Sequence, residues 1–136
     1  MKAIELMLGD LITFKDCQYD DKPTIVKIVQ INANGDALVS IDGDDALDEI
    51  AIDDEVVGIP LTPEILEKNG FNDECAGTYG NDDAYFIPTY RGFDAGTWET
   101  HIEPTEGIGD FSGKLRYVHE LQHALRLCGI DKEIIL

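Results

Sequence analysis

His119-Glu120-Leu121-Gln122-His123 is the stretch whose residue types and spacing most directly suggest chemistry. Histidines four apart share one face of a helix and can share a metal ion. The intervening glutamate can act as general base toward a zinc-bound water. Two of the chain's 3 histidines fall in this motif. A catalytic zinc also needs a third protein ligand. Only 13 residues follow His123, and of these Cys128, Asp131, Glu133 and the terminal carboxylate have suitable atoms. Otherwise the fold must bring in His101 or an upstream acid. Where an extended zinc-peptidase motif would carry Gly and His, this chain has Arg126 and Gly129. On a helical wheel, His119 and His123 lie opposite Val118, Leu121 and Leu125, beside Arg116 and Arg126. Those charges disfavour a dication and pull against the carboxylate partners that ligating histidines usually have. The face therefore reads first as a basic stripe, solvated or set against an acidic surface. A zinc site with His119 and His123 as ligands and Glu120 as base is the alternative.

Three other groups of residues could carry function. Asp42, Asp44, Asp45, Asp48, Glu49, Asp53, Asp54 and Glu55 form an acid-dense stretch. Gly43 comes too early for an EF-hand loop, so a solvated acidic edge is expected, which also guards a sheet edge against aggregation. A sharper alternative is a surface that imitates DNA phosphates and inhibits a nucleic-acid-binding protein. Tyr79, Tyr85, Phe86, Tyr90, Phe93 and Trp98 concentrate aromatic rings in the middle of the chain. Most are expected in the core, and any left exposed would anchor a protein partner. Cys17, Cys75 and Cys128 are far apart and odd in number, which points to reduced, packing thiols. The sequence contains no P-loop, no dinucleotide-binding glycine motif, no nucleophile-elbow serine and no CxxC pair.

Charge bounds the class of partner. The 136 residues include 28 acids and 10 bases, for a net charge of −18. Phosphate contacts require clustered Lys and Arg, so direct nucleic-acid binding is disfavoured, as is an anionic membrane surface. The imbalance is local. Residues 1–110 hold 25 acids against 6 bases, whereas residues 111–136 hold 3 against 4. The acidity is expected to serve solubility first; the alternative is a C-terminal segment that docks on the acidic body. The opening residues carry Glu5 inside their apolar stretch and lack a small-residue cleavage site, so a cytoplasmic protein is expected.

These residues need elements to position them. Residues 3–8 and 11–14, Thr24–Ile31, Ala37–Ile41, Ile50–Ile52 and Val56–Ile59 read as short strands, with a polar loop from Lys15 to Lys22. Asn34-Gly35 and Asp42-Gly43 suit tight turns. Thr62 and Pro63 open a short helix over 62–70, which Asn69-Gly70 closes. Ala84–Ile87 and Thr97–Ile102 read as strands joined by Tyr90–Gly96, with Pro88 marking the first as short or at an edge. Residues 103–112 read as a loop. Val118, Leu121, Leu125 and Cys128 place an amphipathic helix over 113–128, ended by Gly129.

Ile59–Phe71 and Tyr117–His123 resemble two blocks of a family of short uncharacterised proteins of gut Bacteroides-type bacteria and their phages and mobile elements. A segment similar to Leu8-Gly9-Asp10-Leu11-Ile12 precedes those blocks. The resemblance implies an accessory, phage-associated gene and brings no activity. In that pattern the position of Glu120 is also open to Gln, which a peptidase base would not tolerate.

The expected fold is α+β and a single domain. Residues 1–60 form a small antiparallel, barrel-like (SH3-like) sheet. A connecting helix, a β-hairpin region and a C-terminal amphipathic helix fill 61–136. The expected function is a non-enzymatic protein-interaction module with an unknown protein partner and no cofactor. A zinc-dependent hydrolase and a DNA-mimic inhibitor are the alternatives.

Overall fold

Alternation of buried and exposed side chains builds the first half of the chain. In the computed structural model, which describes residues 6–19, 22–33, 36–41, 47–51, 56–75, 77–90, 92–105 and 109–136, Val26 and Ile28 point inward while Lys27 and Val29 face water. The chain divides into two units, Met1–Ile59 and Pro60–Leu136. Among the described residues both sheets are antiparallel, and with two α-helices the protein is a mixed α/β structure made mostly of strands.

The first unit contains β1 (Leu11–Tyr19), β2 (Lys22–Ile31), β3 (Asp36–Ile41), β4 (Leu47–Ala51) and β5 (Val56–Gly58). They pair in the order β4-β3-β2-β1-β5. Leu6, Ile12, Val26, Ile28, Ala37 and Val39 form its core, with Ile31, Ile41 and Ile50 packed against it. Of the strand expected over 3–8, residues 3–5 lie outside the described residues, and residues 6–10 form a turn. Gly9, at φ 86°, donates its N–H to Ile28 O at 2.7 Å. The buried Asp10 carboxylate accepts from Met7 N at 2.7 Å. The polar loop expected from Lys15 to Lys22 is instead mostly the β1–β2 hairpin, in which Tyr19 pairs with Lys22. Ladder bonds are backbone bonds, so polar side chains do not prevent them. The Asn34-Gly35 and Asp42-Gly43 turns lie outside the described residues.

The barrel-like expectation needs correction. Pairing among the described residues gives an open sheet whose edges are β4 and β5.

The second unit is a meander in the order β10-β9-β8-β7-β6. Its strands are β6 (Asn72–Cys75), β7 (Thr78–Gly80), β8 (Ala84–Pro88), β9 (Trp98–Ile102) and β10 (Phe111–Leu115). Helix α1 (Pro63–Lys68) starts at Thr62, whose side chain accepts from Ile65 N, and ends before Gly70 at φ 87°. Helix α2 covers Val118–Leu127. It is shorter than the expected 113–128, because residues 113–115 pair with β9. For the same reason the expected loop 103–112 gives way to β10 at Phe111. Strand β8 lies inside the sheet rather than at its edge. Pro88 is tolerated because it ends the strand, past the last pairing with β7.

One face of this sheet is covered. Phe71 and Phe86 meet edge to face at 4.8 Å, as do Tyr79 and Trp98 at 5.8 Å. The Trp98 indole donates to Leu61 O at 3.2 Å. The last residues pack without forming a strand. Ile134 is buried, and the Asn69 amide exchanges 2.7 Å bonds with both backbone groups of Ile135. No helix among the described residues is long and apolar enough to cross a membrane.

Candidate functional site

The motif on α2 is built differently from its sequence expectation. Glu120 is the third helical residue, and its Oε1 accepts from the backbone N–H groups of Tyr117 and Arg116, both at 2.9 Å. That carboxylate satisfies otherwise unpaired donors at the helix start. His119 is buried, stacked on Tyr117 at 5.6 Å and in edge contact with His123 at 5.8 Å. The wheel had placed both histidines on a polar face. Because α2 also buries Gln122, its covered side is wider than the Val118–Leu121–Leu125 stripe. The basic stripe is broken as well. Arg116 lies before the helix, and its guanidinium donates to Ala95 O at 3.2 Å and Phe93 O at 3.5 Å.

The candidate third ligands are dispersed. His101 sits on β9, with Nδ1 2.8 Å from Ser112 Oγ and Nε2 3.5 Å from Glu99 Oε1, under the stacked ring of Tyr85. The order Ser–His–carboxylate suggests a nucleophile, but these groups stand on a solvated sheet face, where water screens the pair and competes for the hydroxyl. Register explains them fully: Ser112 and Tyr85 are the cross-strand partners of His101. Cys128 is buried, which pushes its thiol up, with Asp110 adding to the shift. Asp131 and Glu133 are exposed. Among the described residues no group of three His, Cys, Asp or Glu side chains is placed to hold a metal ion. Of the acid-dense stretch, Asp48 and Glu49 lie exposed on β4, while Asp42, Asp44, Asp45, Asp53, Asp54 and Glu55 lie outside the described residues. Cys75 is exposed, and the side chain of Cys17 is not among those described.

The aromatic cluster divides in two. Tyr79, Phe86 and Trp98 are buried. Tyr85 is 43% exposed, Tyr90 78% and Phe93 104%, and Ile87 adds 39% between them. Strand alternation turns Tyr85 and Ile87 outward from β8. Phe93 is carried on a 3-10 turn, Gly92–Asp94, that is firmly tied. Thr89 N donates to Thr97 O at 2.9 Å, Gly96 N to Thr89 O at 3.1 Å, and Arg116 holds the two carbonyls already named. The sequence signalled these rings but not which would be exposed.

Beside this turn lies a cleft of about 310 Å³, lined by Leu61, Pro63, Pro88, Tyr90 and Trp98 among others. Burial pushes the phenol of Tyr79, the ring against Trp98, above its ordinary value, and the carboxylates of Asp73, Glu67 and Glu64 push it the same way. Comparison with protein-family models, curated proteins and solved structures returned no match.

Proposed function

We propose that this chain is a non-enzymatic protein-interaction module that recognises its partner through residues 85–93. The observation that carries this reading is Phe93, fully exposed on a turn held by backbone bonds and by Arg116. A water-facing aromatic ring on a turn whose backbone is held gains a large desolvated area on binding. Tyr85, Ile87 and Tyr90 extend the apolar surface along the chain. Glu120 caps the start of α2 through Oε1, and among the described residues no third side chain joins His119 and His123 as a metal ligand, so no observation favours the hydrolase. An accessory, phage-associated role in the cytoplasm belongs to the same proposal and rests on the resemblance of Ile59–Phe71 and Tyr117–His123. So does an SH3-like origin for the first unit, supported by its last strand returning beside its first.

Site-specific photocrosslinking in expressing cells tests the reading. A benzophenone amino acid replacing Phe93 should give a discrete adduct of higher mass. The same group replacing Glu74, exposed on β6, should not. Equal labelling at both positions, or none at position 93, would overturn the proposal.

A further inference from the structure

We infer that the cavity between the β7–β8 turn and the segment after α2 binds a small zwitterion, an α-amino acid with an apolar side chain of about leucine's size. The cavity shares no residue with the 85–93 surface, so this inference does not rest on the interaction-module reading. It measures about 240 Å³. That is room for roughly eight waters, or for an organic molecule with about as many non-hydrogen atoms. Its walls have two characters. Phe71 and Leu125 are buried and, with half-buried Ile130, give an apolar floor. Asn81, Asp83 and Lys132 supply polar groups of both signs. A few placed polar groups over an apolar floor are what a small-molecule site requires.

Two opposite charges line this cavity without meeting. Lys132 Nζ lies 5.7 Å from the centroid of the Phe71 ring, whose π face holds the ammonium at the apolar floor. Asp83 is held by Thr105, whose N and Oγ1 donate to its Oδ1 at 3.2 Å and 3.1 Å, which leaves Oδ2 for a further donor. Among the described residues no ion pair joins Asp83 to Lys132. The Asn81 side-chain oxygen accepts from Asp83 N at 2.9 Å and Ala84 N at 3.0 Å, so its NH₂ group remains as a donor. A simple anion would be drawn to Lys132 and repelled by Asp83, and a simple cation the reverse. A zwitterion is attracted at both places: its carboxylate to Lys132 and the Asn81 amide, its ammonium to Asp83. Its side chain then covers the apolar floor and removes that surface from water.

The full chain would be titrated with L-leucine and with molecules that each lack one part of it, followed by amide nuclear magnetic resonance. Isocaproate has no ammonium, isoamylamine no carboxylate, and glycine no apolar side chain. Leucine should shift the amides of Ala84, Ile130 and Lys132 saturably at or below about 10 mM. Each analogue should bind at least about threefold more weakly. Lys132→Gln should weaken leucine and isocaproate by about that factor without weakening isoamylamine. Asp83→Asn, which retains an oxygen for Thr105, should weaken leucine and isoamylamine without weakening isocaproate. Unchanged amide positions far from the cavity would show that both variants keep the fold. No saturable shift with leucine, binding of any analogue as tight as leucine, or an identical response of both variants to every probe would overturn the inference. Crosslinking at position 93 reports on the module reading separately.

Discussion

The two faces of the second sheet carry almost the same kinds of residues and do opposite things. On the covered face, Phe86 meets Phe71, and Trp98 meets Tyr79. On the open face, Tyr85 stacks on His101, which is bonded to Ser112, while Ile87 stands half in water. Tyr85 and Phe86 are neighbours in sequence with similar ring areas. Strand geometry alone sends one into the core and the other to the surface. An aromatic ring therefore says little about its role until the face it occupies is known.

The largest expected effect sets these neighbours against each other. Phe86→Ala should cost about 3–5 kcal/mol of stability, read by urea unfolding with Trp98 fluorescence. Tyr85→Ser should stay within about 1 kcal/mol. Comparable losses would erase the distinction between the faces.

Next comes the bond set that fastens the chain's last residues over the covered side. Asn69→Ala leaves both backbone groups of Ile135 without their partner and should cost about 1–3 kcal/mol. Faster amide exchange at Ile135 in this variant, with the open-face strands unaffected, would place the effect.

Glu120 offers a smaller and sharper contrast. As a helix-start acceptor, its replacement in Glu120→Ala should cost about 0.5–2 kcal/mol, whereas Glu120→Gln should cost less, because an amide oxygen can accept the same bonds. A catalytic base would show the reverse sensitivity, with Gln as damaging as Ala to any activity.

The smallest effect is on pH dependence. Tyr79 has its phenol pKa raised from the ordinary 10.0 and Cys128 its thiol from 9.0. Both groups are held in the neutral form by the fold. Their contribution is fully present below the unfolded values and is lost as pH rises through the folded ones. Stability should be insensitive to them at neutral pH and fall under alkaline conditions. Tyr79→Phe and Cys128→Ala should each flatten part of that fall in urea midpoints measured from pH 8 to 11. An unchanged slope in both would show that burial does not bias these groups.

Some elements were legible because their signals are local. Thr62-Pro63 and Asn69-Gly70 bound α1 by capping and by left-handed backbone, which involve only nearby atoms. Val118, Leu121, Leu125 and Cys128 marked the covered side of α2 for the same reason. The start of α2 was misread because Gly113-Lys114-Leu115 has no strong preference of its own and takes its form from pairing with β9. β6 and β7 escaped notice likewise: they are short, polar or glycine-containing, and exist through each other.

The candidate site shows the same division. By itself, the sequence determined that the chain is acidic, rich in strands, and concentrated in aromatics over 79–98. It also presented His119-Glu120-Leu121-Gln122-His123 as a possible metal motif. Only tertiary structure decided that Glu120 caps the start of α2 through backbone donors, that His119 is buried, and that Tyr90 and Phe93 face water while Tyr79 and Trp98 do not. The reason is physical. Composition and caps act within a few residues, whereas burial, register and the meeting of charges depend on segments that the chain brings together from far apart.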